Sequence, residues 1–203
     1  MSAATLRRLV SFAARKGRRQ GSRRAFILPS FSTRKTYRDS GVFGYTPEQI
    51  FEVVADVDRY SDFVPLCVGS TVFGSTRKMQ EIPGGKGACE RFEAELVVGY
   101  PPFRERYTSL VKLERPWRVV ATAMPDSGIF KHMRTVWELS ASSDCASGPQ
   151  SPFLKMRPET LVNFRIEFEF SSVLHAQAAS VAFDKIAKTT LSAYRARCQK
   201  LYG

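Results

Sequence analysis

Two histidines, four cysteines and a scatter of carboxylates are the residues of this 203-residue chain that could do chemistry. Their spacing argues against most of it. His132 and His175 stand far apart and form neither of the patterns, H-E-x-x-H or H-x-H, that set two imidazoles on one metal. A lone histidine on a strand or at a helix start reads as structural. Cys67, Cys89, Cys145 and Cys198 contain no C-x-x-C pair, so they suggest neither a zinc site nor a disulfide framework. They fit isolated thiols in a reducing compartment. No G-x-S-x-G elbow occurs. Gly84-Gly85-Lys86-Gly87 lacks the spacing of a phosphate loop and the helix that must follow it. Glu93, Glu95, Glu167 and Glu169 alternate with apolar residues, which places them on solvated strand faces rather than in an acid–base pair. No catalytic residue and no metal site is expected, and binding becomes the question.

The elements that would build a binding site are legible from periodicity. Lys35 to Gly44 reads as a strand, with Tyr37 and Val42 as its apolar content. Thr46-Pro47-Glu48-Gln49 follows as a helix start. Thr46 is a good N-cap, Pro47 suits the first helical position, and Gln49 can close a capping box. Ile50, Phe51, Val53, Val54 and Val57 form the buried side of that helix. A second short turn covers Asp58 to Phe63, and Pro65 ends it. Strands are then expected at Val68–Arg77, around Phe92–Val98, from Phe103 to Leu113, at Trp117–Ala123 and at Ile129–Leu139. Met79 to Gly87 reads as a loop around Pro83-Gly84-Gly85. Phe103, Glu105, Tyr107, Ser109, Val111 and Leu113 share one face of their strand. Lys131, Met133, Thr135, Trp137 and Leu139 share one face of theirs. Ala141 to Pro158 is rich in Ser, Gly and Pro and reads as a mobile loop. The clearest alternation comes last, with Val162, Phe164, Ile166, Phe168 and Phe170 inward. A long helix then runs from Ser171 or Ser172 to about Tyr202. Its stripe is Leu174, Ala178, Phe183, Ile186, Ala187, Leu191, Tyr194, Cys198 and Leu201.

This order is strand, two helices, six strands and one long helix. A sheet with one apolar face needs a cover, and only the last helix is long enough. The expected class is α+β: a curved antiparallel sheet wrapped around a long C-terminal helix, with a pocket between them and the short helices closing one end.

The charge is distributed very unevenly. Residues 1–38 hold 11 of the 31 basic residues and no acidic one, leaving 20 basic against 19 acidic in the rest. The pI near 9.9 therefore belongs to a segment and not to the domain. Leu6, Leu9, Val10 and Ala13 recur at helical spacing in that segment, with Arg7, Arg8 and Arg15 displaced from them. An Arg- and Ser-rich, acid-free, amphipathic start has the composition of an organelle transit peptide and lacks the apolar core of a secretory signal. Arginine excess over lysine favours mitochondria, and the serine content leaves a plastid open. The other reading is a basic arm that stays attached and binds RNA or membrane. Residues 1–34 are read as a mitochondrial transit peptide and 35–203 as one domain of ordinary size. No apolar run is long enough to span a bilayer as a helix.

The element order is that of the helix-grip fold of START-type lipid carriers and polyketide cyclase-like proteins. Particular stretches narrow it. They are Gly44-Tyr45 with Phe51-Glu52-Val53-Val54, Tyr60-Ser61-Asp62-Phe63-Val64-Pro65-Leu66-Cys67, Ala94 to Tyr100, Glu105 to Ser109, Gly128 to His132, Trp137, and Asp184 to Tyr194. Together, from about residue 37 to 200, they resemble the mitochondrial coenzyme Q-binding protein family. The chain departs from it at Leu66, where the family usually has Trp, and in longer loops at 79–88 and 141–158.

The resemblance implies non-enzymatic binding of ubiquinone in an apolar cavity, supporting its delivery to the respiratory chain and its biosynthesis. Ubiquinone would be a bound ligand, with no cofactor. It also implies a peripheral place on the matrix side of the inner mitochondrial membrane. Respiratory complexes or coenzyme Q biosynthetic enzymes would be partners; nucleic acid would not. The expected lining is Phe63, Val64, Pro65, Phe92, Ala94, Leu96, Val98, Tyr107, Val111, Phe130, Met133, Phe164, Ile166, Phe168, Leu174, Ala178 and Phe183. Strand alternation does not separate pocket from ordinary core for any one of them. Phe63-Val64-Pro65 suits a rigid mouth. Tyr107 or Arg106 could donate to a quinone oxygen, although Arg106 also fits a solvated strand face. A pocket of about 300–1,000 Å3 is expected, too small for a whole long tail. Each buried methylene contributes roughly 0.8 kcal/mol, so a few isoprene units suffice for micromolar affinity. Two other readings stay open: a cyclase or aromatase on the same fold, which needs polar groups converging in the cavity, and a ribosome- or RNA-associated adaptor. A domain of net charge about +1 offers the adaptor little electrostatic drive.

Overall fold

The computed structural model describes residues 34–81, 88–100, 103–125, 128, 130–141 and 158–203; on the last helix, side chains are described at Val173, Ala176 and 188–202. The basic segment 1–33 and the stretch 142–157 lie outside the described residues. Seven strands, β1 (Arg34–Phe43), β2 (Cys67–Glu81), β3 (Ala88–Tyr100), β4 (Phe103–Glu114), β5 (Arg118–Ala123), β6 (Phe130–Ala141) and β7 (Thr160–Phe170), form one antiparallel sheet in the order β1-β7-β6-β5-β4-β3-β2. Between β1 and β2 lie helix α1 (Pro47–Ala55) and a 3-10 turn (Val57–Asp62); helix α2 (Val173–Tyr202) ends the chain. At 1.5 Å per residue, α2 is about 45 Å long. This is the expected α+β helix-grip order.

Helix α1 starts as its sequence dictates. The Gln49 amide donates to Thr46 Oγ1 at 3.2 Å, and the Thr46 amide donates to Gln49 Oε1 at 3.0 Å. Two otherwise orphaned amides are thereby satisfied, with Pro47 at the first helical position. Ile50, Phe51, Val53 and Val54 are buried, and Val57 joins them. On α2, Thr190, Leu191, Tyr194 and Cys198 are buried, the i, i+3/i+4 pattern of a helix face laid against the sheet.

Local parity differs from the sequence expectation in several places. On β1 Tyr37 faces the core as its apolar character suggests, but Val42 has the opposite parity and is exposed, and Phe43 is the buried residue beside it. On β6 a register shift between Phe130 and His132 rephases the pleat. Phe130 turns inward and Lys131 turns out to pair with Glu169 at 2.9 Å. The strand before the 79–87 segment runs on through Met79 and Gln80 to Glu81, paired with Ala88–Cys89–Glu90. These exposed residues sit on an edge strand, where solvent exposure is tolerated and sequence suggests a loop. Residues 82–87 are outside the described set. Trp117 lies in the turn before β5 and is exposed, and Leu201, in the last turn of α2, is exposed as well.

Candidate functional site

The concave face of the sheet carries two apolar clusters. The larger packs Phe43, Ile50, Phe51, Val54, Leu113, Leu139, Val162 and Cys198 under α1 and the end of α2, and extends to Val111, Val119, Trp137, Phe164 and Tyr194. The smaller holds Tyr107, Phe130, Met133, Phe168, Phe170 and Ala176. Leu96 and Ile166 touch both. Between the clusters lies a cavity of about 120 Å3.

One flank of the cavity is an aromatic stack. Trp137 lies against Phe164 and Tyr194 with ring centroids 4.5 and 4.4 Å apart. Tyr194 also meets Tyr60 edge-on at 5.7 Å. The other flank is Tyr107 edge-on to Phe130 at 5.3 Å, with Phe170 stacked on Phe130 at 5.6 Å. These rings consume volume, so the space between them falls below the about 300–1,000 Å3 typical of ligand pockets.

The lining contains no carboxylate, histidine, lysine or arginine among the described residues. Its polar atoms are hydroxyls from Tyr60, Tyr107, Ser109, Thr135, Thr190 and Tyr194, and the Cys67 thiol. The Tyr60 hydroxyl donates to the Val54 carbonyl at 2.5 Å. Burial raises the pKa of Tyr60, Tyr107 and Tyr194 well above the ordinary phenol value, so all three stay neutral donors. Burial likewise raises Cys67, whose thiol donates to the Gly69 carbonyl at 3.3 Å. An uncharged lining of this kind can hold a neutral, largely apolar ligand. No cluster of three potential metal ligands occurs among the described residues.

Ten of the residues expected from sequence stand on the cavity wall: Val64, Pro65, Leu96, Val98, Tyr107, Val111, Phe130, Met133, Phe164 and Ile166. Phe92 and Ala94 are instead fully buried in the larger cluster, and Phe168 packs behind Phe130. Phe63 faces a separate surface groove, where the Arg197 guanidinium lies 5.3 Å from its ring. The side chains of Leu174, Ala178 and Phe183 are outside the described set. Arg106 points to solvent with 71% of its side chain exposed and pairs with Glu95 at 3.5 Å, so it is no donor to the cavity. Sequence reasoning missed Val57, Tyr60, Cys67, Ser109, Val119, Ala121, Thr135, Trp137, Thr190 and Tyr194 as lining. Ser109, Thr135 and Trp137 share strand faces with Tyr107, Val111 and Met133, so alternation alone marks them as inward.

The expected mouth is a tight turn. Leu66 has φ 62°, in the left-handed region that branched side chains rarely occupy. Its carbonyl accepts from the Gly99 amide at 2.9 Å, which joins the turn to β3. A Cβ on Gly99 would come within 2.8 Å of Val68 Cγ1, so a larger residue there would have to displace the Val68 side chain. Leu66 itself is not on the cavity wall.

Comparison with known proteins agrees with this architecture. Residues 43–195 match the family described as "Polyketide cyclase / dehydrase and lipid transport". The Xenopus laevis "Coenzyme Q-binding protein COQ10 homolog B, mitochondrial" is 36% identical over 85% of this chain, and the match spans 61% of that relative's own length. The Vibrio cholerae "Ribosome association toxin RatA" is 27% identical over 81% of this chain and 95% of its own. Among solved structures, the ZhuI aromatase/cyclase from Streptomyces sp. R1128 superposes with a TM-score of 0.57 at 14% identity, covering 82% of this chain and 94% of that one. The fold is thus START/polyketide cyclase-like, and the likeness to mitochondrial coenzyme Q-binding proteins read from the sequence holds. By the extent of the match, the chain belongs to the polyketide cyclase/dehydrase and lipid transport family.

Proposed function

We propose that this chain binds coenzyme Q (ubiquinone) without transforming it, with the ring head in the cavity and the isoprenoid tail leaving past Val64 and Pro65. The observation that carries this reading is the cavity itself, which is uncharged, mostly apolar, dotted with hydroxyls and about 120 Å3 in volume. An apolar cavity of about 150 Å3 holds benzene, so this space is on the scale of one six-membered ring. A quinone ring is neutral and carries only acceptors, which buried hydroxyl donors match. The resemblance to proteins named as coenzyme Q-binding supports the same choice. A cyclase needs polar groups converging on its substrate, and the uncharged described lining favours binding over that alternative.

The role that follows is a carrier for ubiquinone or a late precursor, serving respiratory complexes or biosynthetic enzymes. Residues 1–34 would direct it to mitochondria, and it would work as a peripheral protein on the matrix side of the inner membrane. The test is organic extraction of the full chain after purification from a ubiquinone-producing host. Co-purifying ubiquinone is expected. Its absence, together with no uptake of added decyl-tailed ubiquinone, would overturn the reading.

A further inference from the structure

One atom on the concave face breaks the rule that buried polar groups are paired. Ser109 is fully buried on the cavity wall, and its Oγ has no hydrogen-bond partner among the described residues. A buried, unpaired hydroxyl destabilises a fold, and alanine would fit the position without that penalty. Strand register sharpens the point. Ser109 on β4 stands between Ala94 on β3 and Ala123 on β5, so both cross-strand neighbours carry only a methyl group. Neither can reach over the hydroxyl or satisfy it. Tyr107 precedes it by two residues and so shares its face, with a neutral phenol also on the cavity wall.

We propose that Ser109 hydrogen-bonds an oxygen on the ring of the bound ligand, and that this contact makes the cavity select an oxygen-bearing ring over a hydrocarbon ring of the same shape. The inference rests on the reading above that the cavity receives a quinone head. Selection of this kind is efficient because a site built to hydrogen-bond a ligand leaves its own polar atom unpaired when the ligand lacks a partner. A serine hydroxyl both donates and accepts, so it serves a quinone carbonyl and a quinol hydroxyl alike. The site therefore discriminates by the presence of ring oxygens and not by their redox state.

The experiment titrates full-length protein by calorimetry with two probes of equal tail length, decyl-tailed ubiquinone and decylbenzene. Wild type is expected to favour the quinone. Ser109→Ala should weaken quinone binding about three- to tenfold, the yield of one hydrogen bond, and leave decylbenzene unchanged. Ser109→Cys, of similar volume with a weaker donor, should fall between. Because the hydroxyl is unpaired without ligand, the ligand-free Ser109→Ala protein should melt at or above the wild-type temperature. Equal affinity of wild type and Ser109→Ala for the quinone would overturn the assignment of Ser109 alone. So would an equal loss on both probes, or a ligand-free melting point several degrees lower. Failure of wild type to bind the quinone at all would overturn the parent reading, and this one with it.

Discussion

Ala94 and Ala121 lie on the same concave face, on strands that flank β4 on either side, and they meet opposite surroundings. Ala94 is fully buried in the cluster that α1 and the end of α2 press onto the sheet. Ala121 is half-buried and forms part of the cavity wall. The cluster that holds Ala94 also holds large side chains such as Phe51, Phe92 and Leu113, all essentially inaccessible. Arginines cap its rim, with Arg77 over the Phe92 ring at 4.4 Å and Arg115 over Phe51 at 4.9 Å. Around Ala121 the rings of Tyr60, Trp137 and Tyr194 stand back from those of Tyr107 and Phe130 and leave a gap. Residue type and alternation are the same in both regions. The difference is whether a third element fills the space above the sheet.

That comparison can be broken most forcefully at its packed side. Phe51→Ala should cost about 3–5 kcal/mol, read from urea denaturation, because the site is closed on all sides. A loss under about 1 kcal/mol would mean that the region is not close-packed. Next in size is a matched pair of insertions. Ala94→Leu should destabilise by about 1–3 kcal/mol through overpacking, while Ala121→Leu, entering the cavity, should be neutral or slightly stabilising. Equal costs for the two would erase the distinction between core and cavity. Thr46→Ala removes the cap that seats α1 over the packed region and should cost about 1 kcal/mol in the same assay.

Alkaline pH probes both regions, through the Cys198 thiol on the packed side and the tyrosines on the cavity flank. Cys198 is pushed by burial from 9.0 to about 11, and Tyr60, Tyr107 and Tyr194 are raised above 10.0. For each group the folded pKa exceeds the unfolded one, so its contribution is complete below the unfolded value and is lost as pH rises through the folded one. Denaturation midpoints should hold steady from pH 7 to about 9 and then fall. A midpoint that rose above pH 9 would contradict the burial of these groups. The smallest effect belongs to the convex face. Arg106→Ala removes an exposed ion pair and should change stability by less than about 0.5 kcal/mol and leave ligand binding unaltered.

Much of this architecture is local and therefore legible in the sequence. The Thr46–Gln49 capping box depends on four consecutive residues, and the inward set Val162, Phe164, Ile166, Phe168 and Phe170 depends on pleat alone. What escapes depends on partners distant in sequence. The inward turn of Phe130 and outward turn of Lys131 follow from a register shift against β7, which the β6 sequence does not encode by itself. The strand at Met79–Glu81 exists because Ala88–Glu90 pairs with it. Phe92, Ala94 and Phe168 could not be told from cavity lining, because their separation from Leu96, Val111 and Phe130 is made by what packs above them. Ser109 was visible as inward but not as unpaired, since its isolation requires knowing that Ala94 and Ala123 are its neighbours.

The most direct test of the central claim, that the gap beside Ala121 is where a quinone head sits, is decyl-tailed ubiquinone titration of Ala121→Leu beside wild type. The account predicts that Ala121→Leu keeps its stability and loses at least about tenfold in affinity, because the added side chain occupies the ring's space. Undiminished quinone binding by a folded Ala121→Leu protein would contradict it.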